Sequence, residues 1–64
     1  MKVFEGNTDK VIIDNADEKE VKDFIHFLSC RYNYGMYRTW ISDNCTYYDV
    51  GPIVYRVNAV IEPK

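Results

Sequence analysis

His26 and Cys30 have the spacing most suggestive of chemistry in this chain, four residues apart. On a helix that spacing puts an imidazole and a thiol on one face, where they could share a metal ion or where the imidazole could activate the thiol as a nucleophile. Neither arrangement is complete. A zinc site wants four ligands, or three plus water, and the only other cysteine, Cys45, lies in a separate segment of hairpin character. Two neighbouring surface side chains are the simpler reading, with no metal and no cofactor. Asp14, Asp17, Glu18 and Glu20 concentrate carboxylates, but at a helix start, where the positive end of the helix dipole accounts for them without acid–base catalysis. There is no glycine-rich phosphate loop and no nucleophile elbow, and a 64-residue chain can hardly enclose a substrate. The expectation is a protein that is not an enzyme.

Aromatic side chains offer a different chemistry. Six tyrosines and one tryptophan are many for 64 residues, and tyrosine, tryptophan and arginine are the residues that anchor protein interfaces. Tyr32, Tyr37, Tyr48 and Tyr55 are expected in the core. Tyr34, Trp40 and Tyr47 are expected at the surface, with Arg38 and Arg56 beside the last two. That assignment depends on the elements that carry them.

The helix is the best-marked element, expected over about 16–32. Asn15 is placed to cap it, with Glu18 three residues on as in a capping box. Asn33-Tyr34-Gly35 then provides a residue able to take positive φ at its end. At 100° per residue, Val21, Phe24, Ile25, Leu28 and Tyr32 form one stripe, while Lys19, Asp23, His26 and Cys30 lie opposite. Phe27 falls about 120° from the centre of the stripe, at its rim or exposed.

Strands are expected at about 2–5, 10–14, 36–42, 45–50 and 53–61, the first two joined across Gly6-Asn7-Thr8-Asp9. Asp43-Asn44 tolerates the left-handed conformation that a two-residue hairpin turn demands. Such a turn sets Ser42 opposite Cys45, Trp40 opposite Tyr47 and Arg38 opposite Asp49 on one face. The other face then carries Tyr37, Thr39, Ile41, Thr46, Tyr48 and Val50. A shift of one residue would bury Trp40 and expose Ile41. In the last strand Ile53, Tyr55, Val57, Ala59 and Ile61 alternate with Val54, Arg56, Asn58 and Val60. If the helix covers the apolar side, Arg38, Trp40, Tyr47, Asp49, Arg56 and Asn58 share the open one. The fold class is therefore a small α+β domain spanning residues 1–64, with one amphipathic helix packed on an antiparallel-rich sheet in the order ββαβββ.

Composition narrows the partners. With 47% apolar and 28% charged residues, the chain is too apolar to be disordered and too interrupted for a membrane span. No run near Met1 exceeds Val11-Ile12-Ile13, so nothing reads as an export signal. A cytoplasmic setting follows, with Cys30 and Cys45 as free thiols and no membrane contact. A net charge of −2 without a basic cluster disfavours nucleic acid. An open face bearing Trp40, Tyr47, Arg38 and Arg56 still leaves a single-stranded nucleic-acid-binding module as the alternative function. A core this small also leaves a thin stability margin that self-association would widen, so a homodimer is among the expectations.

In size and type the chain resembles, in a general way, the small stand-alone proteins that bacteriophages and mobile elements make to bind and block host enzymes or defence complexes. The resemblance implies an inhibitor acting by steric occlusion of a larger protein. Trp40, Tyr47, Arg38 and Arg56 would form its contact surface, with Phe27 and Tyr34 as further contacts or, for Phe27, a dimer seam.

Overall fold

Local chemistry sets most element boundaries in the computed structural model, which describes residues 1–62. The chain runs β1 (Val3–Glu5), β2 (Val11–Ile13), α1 (Glu18–Asn33), β3 (Arg38–Ser42), β4 (Cys45–Asp49) and β5 (Val54–Val57), the expected ββαβββ order of a small α+β fold. All pairings are antiparallel, and the five strands lie side by side as β2-β1-β5-β4-β3.

The helix begins later than its first capping signal. Asp17, not Asn15, is the N-cap: its carboxylate accepts from the Glu20 amide at 2.8 Å, and the Glu20 side chain accepts from the Asp17 amide. Both Asn15-x-x-Glu18 and Asp17-x-x-Glu20 offer caps, and tertiary contacts decide between them. The Ala16 amide donates to the Met1 carbonyl and the Met1 amino group donates to the Ala16 carbonyl, so residue 16 is tied to the residue ahead of β1 and stays outside the helix. At the other end Tyr34 (φ 56°) and Gly35 (φ 81°) both turn left-handed, and both amides donate to the Ser29 carbonyl.

The second hairpin has the expected register from Arg38 to Asp49, but its strands are shorter than expected and the Tyr37–Val50 pair does not form. Asp43 (φ 52°) and Asn44 (φ 62°) make the two-residue turn, and all five pairs from Arg38↔Asp49 to Ser42↔Cys45 form. Its face bearing Tyr48 turns toward the helix, where Val3, Val21, Ile25, Tyr48, Val50, Tyr55, Val57 and Ile61 build the core. Phe24 meets Tyr55 edge-on with ring centroids 5.2 Å apart.

Three expectations about the core need correction. Tyr32 and Tyr37 are each 45% exposed, and Ser29 is buried in the helix instead, its hydroxyl donating to the His26 carbonyl. Ile41 is on the helix side of the sheet yet 44% exposed. Fully buried side chains on that side come from β1, β4 and β5 and none from β3, so the helix does not reach over that edge. Finally, the last strand ends at Val57 rather than 61. Beyond Asn58 the Thr46 hydroxyl donates to the Ala59 carbonyl and accepts from the Ile61 amide, which turns Ile61 into the core without strand pairing.

Burial raises the pKa of both core tyrosines, Tyr48 and Tyr55, above the ordinary 10.0, with smaller contributions from neighbouring tyrosines and acids. A phenol harder to ionise in the fold than in the unfolded chain leaves stability intact below pH 10 and removes it as pH climbs through the raised folded value. In an alkaline titration followed by tyrosinate absorbance and circular dichroism, the last tyrosines should ionise together with loss of structure. Tyr48→Phe and Tyr55→Phe should move that loss to higher pH. Ionisation of every tyrosine with the fold intact would contradict the assignment.

Candidate functional site

Side chains alternate across a strand, so the residues of β3, β4, β5 and β1 that point away from the helix share one open face. Cross-strand pairing aligns them. Trp40 stands opposite Tyr47, Tyr47 opposite Arg56, and Arg56 opposite Phe4, one residue from each of four adjacent strands. Val11 on the outer strand is the partner of Phe4. The Trp40 and Tyr47 rings are parallel with centroids 5.5 Å apart, and the Arg56 guanidinium carbon sits 4.5 Å from the Phe4 centroid.

Polar contacts hold this row in place. Arg56 donates from Nε to the Gly6 carbonyl at 3.1 Å and from Nη2 to the Thr8 carbonyl at 3.0 Å, clasping the turn between β1 and β2. The Tyr47 hydroxyl donates to Asn7 Oδ1 on the same turn. Arg38 Nη2 lies 3.4 Å from Asp49 Oδ2, and Asp49 Oδ1 accepts from the Gly51 amide. The aromatic rings are thus presented by a braced surface. Both arginines on the face are already engaged, one by a carboxylate and one by backbone carbonyls and a ring.

Arg38, Trp40, Tyr47 and Arg56 therefore come together as the hairpin register implies, with Trp40 43% exposed. Phe27 does not join them: it is 60% exposed on the outer side of α1, across the molecule from the open sheet face. Tyr34 is 94% exposed at the helix end. It holds a left-handed conformation that favours glycine or asparagine, a local strain with no packing in return. Phe4 completes the row and Asn7 braces it, and no sequence signal marks either, because only the placement of β1 beside β5 brings them there.

The other chemically suggestive groups stay apart. Cys30 Sγ lies 3.7 Å from His26 Nε2 with both side chains exposed. Among the described residues no group of three His, Cys, Asp or Glu side chains converges on a point. A groove of about 300 Å³ runs between α1 and the underside of β3, lined by Lys22, Ile25, Thr39, Tyr48 and Ile61, without a thiol or imidazole. No helix among the described residues is long and apolar enough to cross a membrane. Comparison with known proteins gave no match: no family model, no curated protein and no solved structure aligns with the chain.

Proposed function

We propose that this protein is a small binding module that docks on a larger protein through the open face of its sheet. The observation that supports this most directly is the braced row Trp40-Tyr47-Arg56-Phe4. Aromatic anchors held before contact lose little conformational freedom on binding, and such anchors dominate interface energetics. Steric occlusion is the mode of action that suits a short chain whose grooves are open, in the manner of the inhibitors that phages and mobile elements direct at host proteins. Tyr34, extended into solvent, is a second contact from the neighbouring loop.

A single-stranded nucleic acid is the other ligand that parallel aromatic rings on a sheet suit. Charge argues against it. Arg38 is neutralised by Asp49, Arg56 is committed to carbonyls, and the chain as a whole carries −2. Each of the two rings also spends one face on the other, which leaves less platform for a base.

The test is capture from an extract of the native host, followed by affinity measurement with the purified partner. Trp40→Ala should weaken binding about 30-fold or more, as loss of a central anchor does, with the fold retained. Phe27→Asp should leave binding unchanged. Full affinity in a folded Trp40→Ala protein would remove the open face from the interface. Tight binding of single-stranded oligonucleotides at low salt, falling steeply with added salt and lost in Trp40→Ala, would establish the nucleic-acid reading instead.

A further inference from the structure

Every open sheet has two edges, and native proteins protect them with short strands, bulges, charges or proline. One edge here is protected. β2 has three residues, lies between Lys10 and Asp14, and its pairing with β1 is irregular at Val3/Phe4. The other is not. β3 is five regular residues, Arg38-Thr39-Trp40-Ile41-Ser42, with no proline and no bulge, and its one charge is engaged by Asp49 on the open face.

The hairpin turn sets which backbone groups of β3 are free. With a two-residue turn, Ser42 and Cys45 exchange both hydrogen bonds, as do Trp40 and Tyr47 and then Arg38 and Asp49. The amides and carbonyls of Thr39 and Ile41 therefore point outward along the edge.

We propose that this edge pairs antiparallel with the same edge of a second copy, centred on Trp40, to give a two-fold symmetric dimer with a continuous ten-stranded sheet. In this register Thr39 stands opposite Ile41 of the partner subunit, so each strand contributes the outward amides and carbonyls of both residues to the new ladder. Trp40 faces the partner subunit's Trp40 in the closer, non-hydrogen-bonded type of pair. Arg38 faces Ser42 of the partner subunit, so no like charges meet.

The side chains on both sides of the sheet favour the same occupant. Tyr47 stacks on the Trp40 ring from the β4 side, which turns the other ring face toward the free edge. A second Trp40 there completes a four-ring stack. On the helix side, Tyr37 and Ile41 keep 45% and 44% of their surface exposed, and the seam sets the partner subunit's Ile41 diagonally beside both of them. Hydrogen-bond phase, charge and apolar exposure are thus self-complementary about one residue, which is what a two-fold interface requires. The inference concerns the edge of the sheet and does not depend on what binds its open face.

The test is mass in solution from about 1 µM to about 1 mM, the range in which a small interface associates. The wild type should pass from one chain to two. Ile41→Lys, which puts a charge on the exposed edge, should weaken association about tenfold or more, and Phe27→Asp should leave it unchanged. A single-chain mass at every concentration, a dimer that survives Ile41→Lys, or one lost in Phe27→Asp overturns the proposal. Cross-linking gives a second readout in a Cys30→Ser, Cys45→Ser background. Trp40→Cys should form an intermolecular disulfide on mild oxidation, because the paired α-carbons lie within bridging distance. Ser42→Cys should not, because its two copies sit about 14 Å apart along the strands. No cross-link at 40, or an equal one at 42, overturns the register.

Discussion

Replacing Ile25 by alanine should leave much of the protein unfolded at room temperature. Ile25 sits midway along α1, is 1% exposed, and faces the core built from β1, β4 and β5. Truncating a fully buried isoleucine costs about 2–5 kcal/mol through lost transfer free energy and the cavity left behind. A domain of this length has about 3–10 kcal/mol in total, so the loss approaches the whole. Urea denaturation followed by circular dichroism measures it directly. Ile25→Val should cost about 1 kcal/mol, and Phe27→Ala, on the exposed side of the same helix, should cost little. A loss below about 1 kcal/mol for Ile25→Ala would mean that the helix–sheet contact is not what holds the fold.

Thr46→Val is the second large effect, and it removes no volume. The Thr46 hydroxyl, on a residue with no exposed surface, donates to the Ala59 carbonyl at 2.7 Å and accepts from the Ile61 amide at 2.8 Å. Valine keeps the shape and abolishes both contacts, leaving a buried amide and a partly buried carbonyl without partners, at a cost of about 2–4 kcal/mol. The damage should be local first. Hydrogen exchange at the Ile61 amide should accelerate before the rest of the sheet, since that amide has no strand partner to replace the hydroxyl. Thr46→Ser keeps the hydroxyl and should retain protection at Ile61. If Thr46→Val is as stable as the wild type, the segment after β5 is held by Ile61 packing alone.

The core and the proposed binding surface lie on opposite sides of the sheet. The helix side carries the buried side chains, whereas the open face carries Trp40 and the half-buried Tyr47, Arg56 and Phe4. Substitutions at Trp40 should therefore cost the fold little and act on whatever the open face and its edge contact, because a half-exposed residue contributes less to the core than Ile25 does. The same division explains how a short chain can keep an aromatic surface without unfolding. Its rings are braced by each other and by Arg56 and Asn7 instead of by burial.

By itself the sequence determined what neighbouring residues decide among themselves. The helix and its stripe of Val21, Phe24, Ile25 and Leu28 follow from a 3.6-residue period. The pairing of Trp40 with Tyr47 and Arg38 with Asp49 follows from the left-handed tolerance of Asp43 and Asn44. The register puts Trp40, Tyr47 and Arg38 on one face, and that face is open once the helix covers the other. Tertiary structure alone decided what depends on contacts between distant segments. Residue 16 is held by Met1, so the cap is Asp17 and not Asn15. α1 lies over β1, β4 and β5, so Tyr37 and Ile41 remain exposed on the side expected to be covered. β1 inserts between β2 and β5, which brings Phe4 under Arg56 and Asn7 to Tyr47. Periodicity and turn chemistry act over a few residues, but the choice of a strand's neighbour rests on side-chain fit between segments far apart in the chain. The sequence therefore outlined the aromatic surface, and the order of the strands completed it.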